Sequence, residues 1–549
     1  MNDNIKYYKK LFSEKKFQEI IDSIDKNEKN KTAKIYHIRG ICKFFISENN
    51  KKIRLSSRED FRKAFLLEKN TELGVEALTN FININTDFLE VNDSLGYFNQ
   101  LDEKFKNDKN ILKSISRVYQ FSARVEDRIK ILEKIIKFYP SSIDDWCSYI
   151  YINNFINNWD QKNYYENTSK FSKNLVNYSM GSLILDNNII NRKVKIGFLS
   201  SDLNLGHSIT YFLRGLIKNL SKNKYEIYII SNSEKDEKNN ELKNLVTDWF
   251  NIKKLKDKDA ISFIREKKID IIFDLMGFTS DNRITILKNK IAPIQVSWLG
   301  YCNTLGLKEI DYIFADNNLI FQNEEKYYSE KVKRFDNIWN AHEGFNFKRN
   351  KTEPPLIKNE YITFGSFNNF NKISNSNLKI WAELLKKIKK SKLILKSSIS
   401  YNLEYFKNHI KELGVSNKVE FIERPSSFDE HLKYYEKIDL ALDTFPYNGV
   451  TTTFEALWKG VPVLTLEGNN FNSRCGSSII KNLGLIELVS NSQEEYLSKA
   501  IQLASNKEYL IGIRNKIFNR LMETPIFDIN KFSKNFDKLI ENIISEKLS

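Results

Sequence analysis

The sequence predicts an α/β protein with two parallel-sheet lobes in tandem, preceded by an all-α segment. Up to about residue 179 the apolar residues recur at helical spacing, and from about residue 191 short apolar strands alternate with amphipathic helices. This alternation restarts after a polar, proline-bearing break over residues 348–355. At 549 residues the chain is long enough for three domains. We expect them over residues 1–185, 190–350 and 355–549.

The first segment has the pattern of paired helices. Residues 17–24 and 129–136 each repeat apolar side chains at helical spacing. Residues 60–70 and 131–146 each have the form of a helix that ends at a turn where a second helix begins. These stretches resemble degenerate tetratricopeptide repeats, in which paired helices stack into an open solenoid. We therefore expect a tetratricopeptide-like helical domain.

Each lobe is marked by continuous apolar runs with helices between them. The runs cover residues 194–200, 225–230, 269–275 and 294–298 in the first lobe, and 361–367, 393–396, 419–422, 438–443 and 461–466 in the second. Such runs imply parallel sheets that are covered on both faces. Ligands of such sheets bind beyond the carboxyl ends of the strands. We therefore expect the functional residues in the loops at those ends, in the cleft between the lobes.

Composition favours a soluble cytoplasmic protein. The 86 basic and 70 acidic residues give a net charge of +16, but the lysines are scattered through every segment, which argues against a nucleic-acid partner. The four cysteines lie far apart, so we expect neither a disulfide framework nor a zinc knuckle. The amino terminus lacks the apolar stretch of a leader, and no window reaches the length of a membrane span.

The sequence lacks two common nucleotide-binding motifs. No GxGxxG or GxxxxGK[ST] occurs, so neither dinucleotide oxidoreduction nor P-loop ATP hydrolysis is indicated. Asp257-Lys258-Asp259 has the letters of a metal-binding DxD motif. It falls in a lysine-rich loop instead of after an apolar strand, and we interpret it as solvated charge. We expect no bound metal and no cofactor.

The sharpest candidate site follows the apolar run 438–443. A turn with Pro446 and Gly449 leads into Thr451–Thr453, where a helix must begin. The free N–H groups and the positive dipole end of a helix's first turn favour an anion such as a pyrophosphate. Glu455, in the same helix, suits two ribose hydroxyls. Threonines also serve as simple helix caps, but the glycine turn and the carboxylate favour a nucleotide site.

Several different motifs follow one another along the two lobes. They are Ser200–Asp202 with His207, residues 292–301 (APIQVSWLGY), residues 364–373 (FGSFNNFNKI) with the threonine segment, and Asn472–Arg474 before Gly476. Together they resemble the catalytic region of the protein O-GlcNAc transferase family, including its bacterial and SPINDLY-type members, from about Arg192 to about Phe536.

The resemblance implies a GT-B fold with two Rossmann-like lobes. It also implies a glycosyltransferase that moves a sugar, most simply GlcNAc from UDP-GlcNAc, onto Ser or Thr hydroxyls of a protein. The transfer would be inverting and independent of metal. Upstream tetratricopeptide repeats would hold part of the protein acceptor.

The resemblance also assigns roles to residues. Lys372 would be the cation against the donor's β-phosphate, which suits a compact point charge, and Asn369 would help to hold the diphosphate. His431 resembles a family histidine near the nucleotide. His207 resembles the histidine that faces the acceptor and, as a general base, would take the proton of the attacking hydroxyl. A core or capping role is the alternative for both histidines. The remaining nucleotide-sugar ligands would be Thr451, Thr452 and Glu455.

Departures from the family pattern leave the donor open. Val450 stands where a family histidine precedes the threonine pair, Phe428 replaces a lysine three residues before His431, and residues 300–303 read GYCN instead of GYPG. The SPINDLY type uses GDP-fucose and its sister group UDP-GlcNAc, so GDP-fucose and UDP-glucose are alternative donors. A repeat-type scaffold with weak or lost activity is a second alternative, and an epimerase-like enzyme is a third.

Overall fold

The computed structural model describes residues 2–27, 31–48, 50–204, 206–234, 239–397, 402–423, 425 and 427–549. The chain forms two units, residues 1–146 with 400–407, and residues 147–399 with 408–549. The first unit is all-α, and the second holds two parallel sheets with helices between their strands. The predicted fold class, two α/β lobes behind an all-helical region, is thus confirmed.

The region before the first strand contains a series of α-helices. They are α1 Asn2–Ser13, α2 Phe17–Asn27, α3 Ala33–Ser47, α4 Lys51–Leu67, α5 Glu72–Asp87, α6 Asn92–Asn99, α7 Glu103–Lys106, α8 Lys109–Phe121, α9 Val125–Phe138, α10 Ile143–Ile152 and α11 Gln161–Ser172. A small residue lets neighbouring helices approach. A Cβ on Gly40 of α3 would lie 2.9 Å from the Phe61 ring of α4, and the Ser57 hydroxyl donates to the Gly40 carbonyl at 2.7 Å. Such small-on-large packing is what stacked helical repeats require.

The first lobe contains a seven-stranded parallel sheet in the order β3-β2-β1-β4-β5-β6-β7. Its elements are β1 Val194–Ser200, α12 Ser208–Asn219, β2 Tyr225–Ser231, α13 Asn240–Lys243, β3 Asp248–Asn251, α14 Asp257–Glu266, β4 Ile271–Asp274, α15 Ile284–Lys288, β5 Ile294–Ser297, β6 Tyr312–Asp316 and β7 Lys331–Phe335. Asp257 begins α14 and pairs with Arg283 at 2.8 Å. The DxD-like letters therefore open a helix instead of lying in the predicted loop, because an acidic first turn is favourable there.

The second lobe contains a six-stranded parallel sheet in the order β10-β9-β8-β11-β12-β13. Its elements are α16 Pro355–Asn359, β8 Ile362–Ser366, α17 Asn375–Lys387, β9 Ser391–Ser397, α18 Glu404–Glu412, β10 Val419–Glu423, α19 Phe428–Tyr434, β11 Leu440–Leu442, α20 Thr451–Trp458, β12 Val463–Leu466, α21 Cys475–Leu483, β13 Val489–Ser490, α22 Gln493–Ser505, α23 Lys507–Arg520 and α24 Ile529–Leu548. Because β8 and β11 lie next to each other, the loops after them meet at one edge of the sheet.

An aromatic stack and an ion pair are among the contacts that join the lobes. The last helix returns to the first lobe, where Phe532 and Phe536 of α24 stack on Phe335 with ring centroids 4.8 and 6.4 Å apart. Arg474, which precedes α21, is buried and binds both carboxylate oxygens of Glu324 at 2.6 and 2.8 Å. A bidentate pair of this kind fixes both distance and orientation.

None of the helices in the described residues combines the length and the apolar character needed to cross a bilayer.

Candidate active site

The amino-terminal end of α20 has no side-chain cap. Val450 occupies the N-cap position and its side chain makes no capping hydrogen bond. The threonine hydroxyls are used elsewhere: Thr452 donates to Asn368 Oδ1 at 2.6 Å, and Thr453 donates to the Gly449 carbonyl at 3.1 Å. The threonines therefore do not cap this helix, and its first turn presents a positive end that suits an anion.

A buried carboxylate shapes the turn before α20. Asp443 accepts hydrogen bonds from the Thr444 N–H at 2.9 Å, the Gly449 N–H at 2.7 Å and the Thr465 hydroxyl at 2.8 Å. Burial raises the pKa of Asp443 to about 6, although these hydrogen bonds and the charge of Lys372 oppose the rise. Asp443 thus fixes the conformation of the turn from within.

Gly449 lies where a side chain has no room. A Cβ at this position would lie 2.5 Å from Thr452 Oγ1 and 2.6 Å from Asn368 Oδ1. Real Cβ atoms do not approach so closely, so the glycine allows the turn to pack against the start of α20.

Lys372 lies at the same edge of the sheet, in the 3₁₀ turn Phe370–Lys372 after β8. Its Nζ donates to the Asn448 carbonyl at 2.9 Å and lies 4.3 Å from the centroid of the Tyr447 ring. Burial lowers the pKa of Lys372, and the negative charge of Asp443 opposes that effect. The ammonium group is therefore a partly desolvated cation next to the turn that leads into α20.

Asn369 is the N-cap residue of the same 3₁₀ turn. Its Oδ1 accepts a hydrogen bond from the Asn371 N–H at 2.9 Å, and the residue is exposed. Because the side-chain oxygen is used locally, a contact with a diphosphate would come from the amide nitrogen.

A hydrogen-bonded chain lies beside α20. Lys396 Nζ, from the end of β9, lies 3.1 Å from His431 Nδ1, and His431 Nε2 lies 2.8 Å from Glu455 Oε2. The Tyr435 hydroxyl donates to the same Glu455 oxygen at 2.8 Å. Lys396 Nζ also lies 3.4 Å from Nε2, so it lies near both ring nitrogens. A carboxylate only accepts, so Nε2 carries the proton that it gives to Glu455. Burial alone would raise the pKa of Glu455, but the interaction with His431, the positive charge of Lys396 and the hydrogen bond from Tyr435 outweigh it, so the pKa is lowered.

Phe428 takes part in an aromatic contact across the cleft. Its ring centroid lies 5.5 Å from that of Tyr211 in α12, 5.6 Å from Phe345 and 5.9 Å from His431. Where the family pattern has a lysine, this chain therefore has a ring that packs between the lobes. A cation near His431 is Lys396, from strand β9.

His207 lies on the other lobe, at the N-cap of α12. Its Nδ1 accepts from the Ile209 N–H at 3.4 Å, and its Nε2 lies 3.8 Å from Asp202 Oδ1. While Nδ1 caps the helix, the neutral ring carries its proton on Nε2. His207 can therefore accept a further proton only if Nδ1 releases the Ile209 N–H, whose contact is long.

The structure brings most of the candidate residues to one edge of the second sheet. Lys372, Thr452 and Glu455 lie within one hydrogen-bonded neighbourhood, which Asn368, Asp443, Tyr435 and Lys396 complete. The sequence predicted no role for these last residues, Asn368, Asp443, Tyr435 and Lys396. Of these, Asp443 has a sequence signal, since it ends a strand before a glycine turn. Lys396 is an ordinary lysine in the sequence, and only the fold brings it to His431.

Comparison with known proteins agrees with these observations. The model of the glycosyl transferase family 41 matches residues 174–342 and 350–536. The probable UDP-N-acetylglucosamine–peptide N-acetylglucosaminyltransferase SPINDLY of Solanum lycopersicum is 32% identical over 361 residues, which are 64% of this chain and 39% of that protein. The protein of the same name from Hordeum vulgare is 30% identical over 358 residues, 64% of this chain and 38% of its own. The chain thus spans about two fifths of the length of these relatives.

A solved structure supports the fold independently. A mutant of the Thermobaculum terrenum O-GlcNAc transferase superimposes with a TM-score of 0.78 at 22% identity, over 97% of this chain and 98% of that one. The family match covers most of both lobes, including the turn before α20, Lys372 and His431. The chain therefore belongs to glycosyl transferase family 41.

Proposed function

We propose that this protein is a glycosyltransferase that moves GlcNAc from UDP-GlcNAc onto Ser or Thr hydroxyls of a protein, with inversion and without a metal. The observation that carries the proposal is the meeting of the Lys372 ammonium group with the uncapped start of α20 at one turn of the second lobe. Plant relatives whose names state a UDP-N-acetylglucosamine–peptide activity support this choice of donor and acceptor.

The diphosphate would lie between the first turn of α20 and Lys372. The helix end offers N–H donors and a positive dipole, and the lysine offers a full charge. As the bond between the sugar C1 and the β-phosphate oxygen breaks, negative charge builds on that phosphate, and a preorganised cation stabilises it most at that moment. Because the chain itself supplies this charge, we propose that transfer does not require a metal.

The nucleoside would lie beside His431 and Glu455. Two hydrogen bonds converge on Glu455 Oε2, and we assign its Oε1 to the ribose hydroxyls. Lys396 and Tyr435 would keep the imidazole and the carboxylate in place. Asn369 would contact the diphosphate through its amide nitrogen.

The acceptor hydroxyl would approach from the first lobe, where His207 lies. Its oxygen forms a bond to C1 on the face opposite the departing nucleotide, so a single displacement inverts the anomeric centre. The hydroxyl proton passes to His207 Nδ1 after the Ile209 N–H is released. The helical region would hold the rest of the acceptor protein.

Nucleotide release tests the proposal. The purified protein is incubated with UDP-GlcNAc, UDP-glucose or GDP-fucose, with and without desalted cell lysate. If the lysate stimulates nucleotide release from UDP-GlcNAc, the result supports the proposed transfer. If it stimulates release from another donor instead, that donor supplies the transferred sugar. Release without an acceptor indicates an epimerase or a hydrolase, and no binding of any donor indicates a scaffold.

Three further readouts test the finer points. Loss of the added mass on β-elimination identifies Ser or Thr linkage, the anomeric coupling constant in NMR identifies inversion, and activity unchanged by EDTA identifies metal independence. Lys372→Ala is the inactive reference. Lys379→Ala, an exposed lysine of α17 in the same lobe, is the matched control.

A further inference from the structure

The Tyr447 ring contacts both a cation and a second ring. Lys372 Nζ lies 4.3 Å from its centroid, and the Phe155 ring is stacked on it at 4.6 Å with an interplanar angle of 24°. Two groups cannot occupy one face of a ring at these distances, so Tyr447 lies between them. Burial raises the pKa of Tyr447 well above its usual value, so the ring is a neutral phenol that attracts a cation.

Phe155 does not come from either sheet. It ends the 3₁₀ turn Asn153–Phe155, which precedes the first lobe in the sequence, and it is only 4% exposed. A residue of this helical segment therefore reaches the turn 444–450 that leads into α20.

The neighbouring Asn154 holds this 3₁₀ turn to both lobes. From the first lobe, Asn303 Nδ2 donates to Asn154 Oδ1 at 3.0 Å, and Asn154 Nδ2 donates to the Tyr301 hydroxyl at 3.2 Å. From the second lobe, Asn472 Nδ2 donates to the Asn154 carbonyl at 3.3 Å. Asn154 is 3% exposed, and its buried amide is paired on both sides. The position of Phe155 is therefore fixed relative to the whole cleft.

We propose that Phe155 is a positioning residue for Lys372, because it fixes the Tyr447 ring against which the ammonium group is held. The inference rests on the proposed function, in which Lys372 stabilises the departing diphosphate. The side chain of lysine is flexible, and a loose ammonium group would lose the preorganisation on which its effect in the transition state depends. Loss of the Phe155 ring should therefore lower kcat more than it changes the donor KM.

The experiment compares four variants with the unaltered protein. Phe155→Leu removes the ring, Phe155→Met removes it with little loss of volume, and Phe155→Tyr keeps it. Trp159→Leu is the control, because Trp159 lies in the same segment but packs on Tyr149 and Tyr164 at 5.3 and 5.5 Å. Lys372→Ala is included as the inactive reference. Each protein is measured for kcat, donor KM and the midpoint of thermal unfolding.

The expected result is a fall in kcat of roughly tenfold for Phe155→Leu and Phe155→Met, with the donor KM within about twofold. Phe155→Tyr and Trp159→Leu should keep the wild-type kcat. If Phe155→Leu does not fold, the kcat of Phe155→Met provides the test. A wild-type kcat in Phe155→Met, while Lys372→Ala is inactive, would overturn this inference and leave the proposed function standing. A wild-type protein without activity on any donor would overturn both.

Discussion

His431 Nε2 lies 2.8 Å from Glu455 Oε2, and both side chains are buried at the edge of the second sheet. The pair joins α19 to α20, and Lys396 Nζ from β9 lies 3.1 and 3.4 Å from the two nitrogens of the imidazole. Three elements that are far apart in the sequence thus determine one imidazole orientation. Lys396, which no motif marks, therefore belongs to the side of the site where we propose that the nucleoside binds.

Replacement of Lys396 should weaken donor binding. Lys396→Met removes the positive charge and the polar contact next to His431, so we expect the donor KM to rise about tenfold. Lys392→Met, an exposed lysine of the same strand, should leave KM unchanged. Steady-state kinetics with varied donor provides the measurement. An unchanged KM in Lys396→Met would remove this residue from the site.

Replacement of Lys372 should reduce turnover and leave the fold intact. We expect Lys372→Ala to lower kcat by about 10²- to 10³-fold, because the lost charge acts on the breaking bond. Near-ultraviolet circular dichroism checks the fold, and Lys379→Ala serves as the control. A kcat within a few-fold of wild type would contradict the assigned role.

The rate should fall at alkaline pH. Lys372 acts as a cation, and burial lowers its pKa, so kcat/KM should decrease as the pH rises, at a value below the ordinary lysine pKa of about 10.4. Arginine stays charged throughout this range. The alkaline fall should therefore disappear in Lys372→Arg, whatever the absolute activity of that variant. Persistence of the fall would assign it to another group.

The turn before α20 should not tolerate a side chain at Gly449. A methyl group there would displace Thr452 and Asn368, so we expect Gly449→Ala to lose about 1–3 kcal/mol of stability and to bind donor more weakly. Gly512→Ala is the matched control. Gly512 lies inside α23 with open space around it, and we expect about 0.5–1 kcal/mol of added stability. Thermal unfolding and calorimetric titration with donor measure both effects. Equal behaviour of the two variants would contradict the close packing of the turn.

Most interior strands were predictable from the sequence, and so was the edge strand β10, but the other edge strands were not. The run 194–200 coincides with β1 because that strand is buried on both faces. The missed strands β3, β7 and β13 lie at sheet edges, where they are polar or very short. Strand β6 was missed for another reason. The prediction relied on strands alternating with helices, and in the described part of the chain no α-helix lies between β5 and β6.

The candidate site was predictable only where local sequence carries the signal. The glycine turn and the threonines mark the start of a helix, and this signal is local. The stack joins Phe155 to Lys372 and Tyr447, which lie more than two hundred positions later. Lys396 contacts His431 across 35 positions. Contacts of this kind depend on the tertiary fold, and single-sequence patterns do not contain them.

A crystal of the protein soaked with UDP tests the central claim most directly. We predict density for the diphosphate against the first turn of α20, with Lys372 Nζ within hydrogen-bond distance of a β-phosphate oxygen and the ribose next to Glu455. An empty site at saturating nucleotide, or a nucleotide bound elsewhere with Lys372 turned away from it, would contradict the proposed function.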